Sequence, residues 1–187
     1  GVVPDVNVLE GTSIAVDRGI LVDSFMRTSA EEIYAAGDVA QTPDLLSGER
    51  RNIPIFPNAY RQGYVAGNNM AGRRRMYEGA MSMNAVDVFG LPVISVGITN
   101  PRGKEYEIIS RLDEKAFSYK KMVLRNDRIV GAIFAGEIDR AGIITGLIKE
   151  KIKVTGFKDL LLTESFGLIS LPVDYRKYIV SGMGIEV

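Results

Sequence analysis

The 187-residue sequence contains no cysteine and no histidine. The absence of cysteine excludes disulfide bonds, thiol nucleophiles and cysteine metal sites. The absence of histidine excludes serine–histidine catalysis and most transition-metal sites, and no cluster of acidic residues suggests a metal site made of carboxylates alone. Any chemistry has to use carboxylates, lysine, tyrosine, backbone groups or a bound cofactor. We assign no catalytic side chain and no metal ligand.

The sequence also lacks an excess of either charge and any long apolar run. Its 23 Lys and Arg residues balance 23 Asp and Glu residues, which gives no argument for nucleic acid or an anionic membrane as a partner. No apolar run reaches the roughly 18 residues of a membrane-spanning helix, and the first residues show no targeting signal. We expect a soluble, cytoplasmic protein, and its 46% hydrophobic content is enough for a core.

The first third of the sequence combines turn signals with short apolar segments. Residues 13–23 predict a β-hairpin in which Gly19 supplies the positive φ that a short connection needs. Residues 33–36 predict a short apolar strand that stops at a Gly-Asp pair. Residues 41–57 contain Pro43, Pro54 and Pro57 and predict a long loop, which in a compact domain usually has a function or is disordered.

One helix follows this loop. We expect it to begin near Asn58, which can cap it, and to end at Gly72, a residue typical of helix C-termini. The helix face that we expect to pack closely against another element consists mostly of small residues: Ala59, Gly63, Ala66, Gly67 and Met70.

From residue 82 onward the sequence predicts one strand after another. The expected strands lie around residues 83–90, 92–99, 105–112, 116–125 and 128–135, and Asn126 and Asp127 form the turn between the last two. A helix is expected over residues 139–151, with Gly142 and Gly146 packed closely on the sheet, and a short helix over residues 156–162. Residues 171–187 are expected to form a tail.

Residues 31–40, EEIYAAGDVA, are the segment that carries chemistry. Small residues before Asp38 allow the backbone to approach a ligand closely. A carboxylate beyond the carboxyl end of a strand lies where open α/β sheets bind ligands, and it can accept hydrogen bonds from sugar-alcohol hydroxyls. The Gly-Asp pair by itself is equally consistent with a strand followed by an ordinary turn.

The longer segment resembles the second FAD-binding motif of the pyridine nucleotide–disulfide oxidoreductase family. The matching residues are Thr28, Ile33, Tyr34, Ala35, Gly37 and Asp38. The resemblance implies that Asp38 binds the ribityl chain of FAD. It also implies that Gly37, which has no side chain, leaves room for the turn next to the cofactor. Residues 56–72, FPNAYRQGYVAGNNMAG, resemble the next helix of the family, whose N-terminus points at the flavin ring. Backbone amides near Asn58 and Ala59 are then the expected contacts, because a helix N-terminus favours negative charge.

The remainder resembles the C-terminal domain of NADH oxidases, NADH–rubredoxin reductases and the flavin part of nitrite reductases. The resemblance implies an α/β (α+β) fold: a remnant of the FAD-binding domain over residues 1–75, then a mostly antiparallel β-sheet domain with one or two helices over residues 76–170. In the family this second domain often forms the dimer interface.

Two motifs of such an enzyme are absent from the sequence. Neither the G-x-G-x-x-G that holds the FAD pyrophosphate nor a second such unit for NAD(P)H is present, and the single G-x-G, at residues 182–184, has no room for a following helix. We therefore expect the C-terminal part of a longer FAD-dependent NAD(P)H oxidoreductase, inactive without its N-terminal FAD and NAD domains. In the family, true disulfide reductases of the glutathione reductase type use a C-terminal His-Glu pair as acid and base. Because this sequence has no histidine, the resemblance implies an electron transferase, an NAD(P)H oxidase or a related reductase, with the acceptor left open.

A different class of function is also consistent with the sequence. The chain could be a non-catalytic dimerisation or binding module that has kept the fold of a flavin enzyme. In either case, some apolar residues among the first 72 would face a flavin domain that is not part of this sequence. Without that domain they would be exposed, and an exposed apolar patch favours self-association. We predict a homo-oligomer, most simply a dimer.

Overall fold

The computed structural model describes residues 1–176. Much of the predicted tail and the G-x-G at residues 182–184 lie outside these residues. The chain divides into two compact units, Gly1–Met83 and Asn84–Val187. Within the described residues, no helix is both long enough and apolar enough to cross a membrane.

The first unit combines a small sheet with one long helix. Its elements after a 3-10 turn at Asn7–Leu9 are β1 (Ile20–Leu21), β2 (Ala40–Pro43), β3 (Arg50–Arg51) and α1 (Phe56–Met70). Strand β2 is central, parallel to β1 and antiparallel to β3. The apolar core includes Val22 and Met26 from the segment after β1, Ala40 from β2 and Val65 from α1. This arrangement places the Gly-Asp pair directly before the central strand.

The predicted hairpin over residues 13–23 is present as a tight reversal. Val16 and Ile20 form an antiparallel bridge, and the Leu21 N–H donates to the Ala15 carbonyl at 3.0 Å. The role predicted for Gly19 was wrong, because its φ is not positive. A Cβ at Gly19 would lie 2.5 Å from the Val39 carbonyl oxygen. Glycine is therefore required there because another part of the backbone passes so close.

Two other predictions for this unit need correction. Residues 33–36 do not form a strand but a single antiparallel bridge, between Tyr34 and Arg27. Positive φ angles at Met26 (64°) and Glu32 (61°) bend the chain on both sides of that bridge and prevent a longer ladder. Residues 41–57 are not one long loop, because they contain most of β2, all of β3 and the first two residues of α1.

Helix α1 begins earlier than predicted. Its first residue is Phe56, its N-cap is Ile55 and a proline occupies the first turn, so Asn58 lies inside the helix and does not cap it. The predicted end is confirmed: Gly72 has φ +77°, and its N–H donates to the Asn69 carbonyl at 3.0 Å. Together with the bond from the Arg73 N–H to the Asn68 carbonyl (2.8 Å), this is a Schellman motif.

The buried face of α1 also differs from the prediction. It carries three amide side chains as well as Val65 and Ala66. Gly63 and Gly67 are exposed and Met70 is 68% exposed, so most of the small-residue face does not pack on anything in this unit. The amides are buried instead because their polar atoms bind carbonyl and N–H groups of neighbouring loops. The buried amides are Asn58, Gln62 and Asn69.

The second unit is built on a five-stranded antiparallel sheet. Its elements are β4 (Met83–Val88), β5 (Leu91–Gly97), β6 (Glu107–Asp113), β7 (Ser118–Arg125), β8 (Arg128–Ala135) and α2 (Ala141–Lys149), and β4 begins at the last residue of the first unit. The strand order is β4-β5-β8-β7-β6. Every predicted strand is confirmed to within two residues at each end. Asn126 and Asp127 both have positive φ (52° and 57°), as a two-residue type I′ turn requires.

Helix α2 packs against β8 and β5 through a fully buried apolar stripe, Ile144, Leu147 and Ile148. The close packing predicted for Gly142 was wrong, because the residue is exposed and open space surrounds it. Gly146 faces the Tyr175 hydroxyl instead of the sheet. The short helix predicted over residues 156–162 is a single 3-10 turn, Lys158–Leu160. The observed architecture confirms the predicted mixture of a mostly antiparallel sheet and few helices.

The glycines of the second unit allow a direct test of its packing. A Cβ at Gly131 would lie 1.9 Å from the Ile98 carbonyl oxygen. Because that atom belongs to backbone, we expect Gly131→Ala to lower the free energy of unfolding by about 1–3 kcal/mol. The matched control is Gly142→Ala, which should leave stability unchanged or raise it by up to about 1 kcal/mol. Urea unfolding monitored by circular dichroism measures both, and equal stability of the two variants would contradict the close approach at Gly131.

Candidate functional site

The Gly37–Asp38 pair forms a tight turn at the start of β2. Gly37 has φ +87°, a left-handed conformation that glycine adopts without strain. Its carbonyl accepts a hydrogen bond from the Ala40 N–H at 2.9 Å, which closes the turn. The pair therefore lies before a strand, not at the carboxyl end of one as the sequence suggested, and tertiary contacts must hold it in place.

Side chains from two other segments hold this turn. The Gln62 Oε1 atom, on α1, accepts the Gly37 N–H at 2.8 Å. The Asn52 Nδ2 atom, just after β3, donates to the Asp38 carbonyl at 3.1 Å and to the Ala40 carbonyl at 3.2 Å. The turn backbone is thus bonded from both sides. The sequence did not lead us to predict a role for either amide. The only feature that could have indicated Gln62 is its position one helical turn after Asn58, which places both side chains on the same face of the helix.

The Asp38 side chain remains available to a ligand. Asp38 is exposed, and across residues 1–176 its carboxylate has no hydrogen bond or ion pair. It lies on the wall of a pocket of about 300 Å³. The other residues lining the pocket are Val2, Val3, Pro4, Asp5, Val39, Asn52 and Pro54.

The chemistry of this pocket favours hydroxyl groups over phosphate. Its two charged lining residues, Asp5 and Asp38, are both acidic, so an anion would be repelled. A carboxylate that lacks a protein partner can accept hydrogen bonds from hydroxyl donors. Valine and proline side chains cover much of the remaining wall. The lining of the pocket is therefore better suited to hydroxyl donors than to anions.

The other two predicted site residues lie in the first turn of α1. The backbone N–H groups of Asn58 and Ala59 both donate to the Ile55 carbonyl, at 3.1 Å each. The Asn58 amide is buried and donates to the carbonyls of Ile53 (3.2 Å) and Met81 (3.3 Å). Ala59 lies beside the turn, since its Cβ is 3.8 Å from the position that a Cβ at Gly37 would take. The structure thus brings together Gly37, Asp38 and Ala59, whereas the Asn58 side chain supports neighbouring loops.

Tyr77 is a buried tyrosine in the core of the first unit. Its ring is 6% exposed, and its N–H donates to the Ser24 carbonyl at 2.7 Å. Burial raises the pKa of the Tyr77 phenol above 10.0, outweighing the opposite effects of the Gln62 side chain and the Arg61 charge.

Both units match known protein families. Residues 1–63 match the family model described as pyridine nucleotide-disulphide oxidoreductase. Residues 83–152 match the model described as the rubredoxin NAD+ reductase C-terminal domain. The turn that carries Asp38 falls inside the first match, and the five-stranded sheet falls inside the second.

Similar proteins include oxidoreductases with different activities. The epsilon subunit of NADH-dependent phenylglyoxylate dehydrogenase from Aromatoleum evansii is 36% identical over 83% of this chain and 37% of its own length. The NAD(P)H nitrite reductase of Bacillus subtilis is 30% identical over 83% of this chain and 18% of its own. The NADH:rubredoxin oxidoreductase of Clostridium acetobutylicum superposes with a TM-score of 0.64 and 29% identity, over 84% of this chain and 39% of that one. The chain spans well under half of each relative.

The buried tyrosine predicts how stability depends on pH. Because the folded-state pKa of Tyr77 is raised, the unfolded chain loses this proton first, and stability should fall as pH rises above about 10. We expect Tyr77→Phe to reduce the slope of this fall. Chemical denaturation between pH 7 and 11 measures it, with Tyr60→Phe as the control because Tyr60 is 51% exposed. Identical slopes for the wild type and Tyr77→Phe would contradict the assignment.

Proposed function

Because the chain belongs to the pyridine nucleotide–disulphide oxidoreductase family, we propose that it forms part of an FAD-dependent NAD(P)H oxidoreductase in which Asp38 binds the ribityl chain of FAD. One observation carries this proposal: the Asp38 carboxylate has no partner among the described residues, although the turn behind it is bonded from two sides. A carboxylate held in this way is ready to accept hydrogen bonds from hydroxyl groups. The pocket of about 300 Å³ beside it, whose charged lining is acidic, supports a hydroxylated ligand over an anionic one.

The residues of this chain position the cofactor and do not react with the substrate. When bound, FAD supplies the chemistry of accepting a hydride from NAD(P)H and passing electrons to an acceptor. Asp38 orients the ribityl chain, and Gly37 provides the left-handed turn that presents Asp38. Ala59 places the first turn of α1 beside Gly37. No catalytic acid, base or nucleophile is assigned to this chain.

The phosphate end of FAD is bound elsewhere in this proposal. The 187 residues contain no G-x-G-x-x-G motif, whose glycines allow a helix N-terminus to approach a pyrophosphate. The pocket at Asp38 is acidic and unsuited to phosphate. We therefore propose that FAD binding and activity require a segment with such a motif in addition to these residues, and that a chain without it does not turn over NAD(P)H.

Removal of the Asp38 carboxylate tests the cofactor site. We expect Asp38→Ala to weaken FAD binding about 10–100-fold in the full-length protein, meaning the protein that includes the pyrophosphate-binding segment. A loss of this size is typical when hydrogen bonds to a charged group are removed. The measurement is the visible absorption spectrum of the purified protein followed by an FAD titration. The control is Asp139→Ala, since Asp139 is an exposed carboxylate in the second unit. A wild-type protein that folds stably but binds no FAD would favour a non-catalytic module, and unchanged affinity in Asp38→Ala would exclude Asp38 from the site.

The homo-oligomer expected from the sequence is a second proposal. Several large apolar side chains of the first unit are exposed on α1: Phe56 (83%), Tyr60 (51%), Tyr64 (47%) and Met70 (68%). Exposed apolar surface of this kind favours association. Sedimentation velocity across a hundredfold range of protein concentration should show a dimer or larger species. A single monomeric species throughout that range would contradict the proposal.

A further inference from the structure

Gln62 is the side chain that connects α1 to the Gly37–Asp38 turn. It is 2% exposed. Burial of an amide is unfavourable unless its polar atoms find partners. The Oε1 atom accepts the Gly37 N–H at 2.8 Å, whereas the Nε2 atom is 3.5 Å from the Thr42 hydroxyl, at the long limit of a hydrogen bond. The bond to Gly37 is therefore the stronger of the two interactions.

This bond restrains the backbone of the turn at its first residue. Gly37 has no side chain and a left-handed φ of +87°, so nothing of its own fixes the orientation of the peptide. The remaining bonds of the turn are made by the Gly37 and Asp38 carbonyls, to the Ala40 N–H and to Asn52. Without Gln62, the N–H of a half-buried glycine would lose its acceptor. The turn would then be held from one side only.

We infer that Gln62 is a positioning residue that aims the Asp38 carboxylate at the ribityl hydroxyls by holding the Gly37 N–H. This inference rests on the proposed function of Asp38, and it adds a connection between α1 and cofactor affinity. Gln62 does not contact the cofactor in this scheme. It acts through the turn, so its effect on affinity depends on the presence of Asp38.

A mutant cycle separates positioning from general stability. Gln62→Met has similar length and volume but no acceptor for the Gly37 N–H. We expect it to weaken FAD binding by the full-length protein about tenfold. In an Asp38→Asn background the same substitution should weaken binding less than about threefold, because there is no carboxylate left to aim. Additive effects would mean that Gln62 only supports the fold, and would overturn the inference.

The matched control uses another buried amide of the same helix. The Asn69 Nδ2 atom donates to the Phe25, Val65 and Arg75 carbonyls, far along α1 from the turn. We expect Asn69→Leu to lower the melting temperature while FAD affinity stays within about twofold of the wild type. If Asn69→Leu weakened FAD binding as much as Gln62→Met, the loss would reflect the stability of α1 and not the turn.

Two further measurements keep the inference testable. Gln62→Asn keeps a buried amide, but its side chain is shorter by one methylene, so its oxygen cannot reach the Gly37 N–H. It should therefore show the same loss of FAD affinity, and it replaces Gln62→Met if that variant does not fold. Amide hydrogen exchange at Gly37 should become faster in both variants and stay unchanged in Asn69→Leu. Unchanged exchange would refute the role of Gln62. If the wild-type protein bound no FAD, the proposed function would fail, while the exchange result would still decide whether Gln62 holds the turn.

Discussion

The first unit depends on hydrogen bonds from the buried amide side chains of α1. Each amide reaches a different part of the chain: Asn58 binds the Ile53 and Met81 carbonyls, Gln62 binds the Gly37 N–H, and Asn69 binds the Phe25 carbonyl and the backbone of Arg75. A buried amide without partners is costly, so these bonds restrict how the loops can sit on the helix. Small strands alone could not do this, because β1 and β3 have only two residues each.

These bonds produce a turn whose backbone is held by two amide side chains, while its carboxylate has no partner among residues 1–176. Gln62 and Asn52 bond the turn from opposite sides and leave Asp38 on the pocket wall without a partner among residues 1–176. A group that is fixed before the ligand arrives loses little freedom on binding. In the proposed function this chain contributes by placing the cofactor, which is itself a function of the protein in a cofactor enzyme.

The second unit was largely predictable from sequence because its contacts are local. Strands β7 and β8 are joined by a two-residue turn, and their apolar and β-branched residues follow the pattern of a buried sheet. Helix α2 (Ala141–Lys149) was also predicted, within the expected range of residues 139–151. The errors were the helix predicted over residues 156–162, which is a 3-10 turn, and the packing of Gly142 and Gly146. Gly142 is surrounded by open space, whereas Gly131, about which the sequence analysis made no prediction, lies against the Ile98 carbonyl. Spacing along the sequence cannot distinguish these cases, because the neighbour of Gly131 belongs to a different part of the chain.

The sequence by itself determined the strands of the second unit, the Schellman end of α1 at Gly72 and the resemblance that points to Asp38, because periodicity, turn residues and motifs are properties of neighbouring residues. Only the tertiary structure decided which face of α1 is buried, why Gly19 must be glycine and which side chains hold the turn. Gly37 and Gln62 are 25 residues apart in sequence. Their pairing places the buried Gln62 amide against the Gly37 N–H, and this depends on the folded chain as a whole.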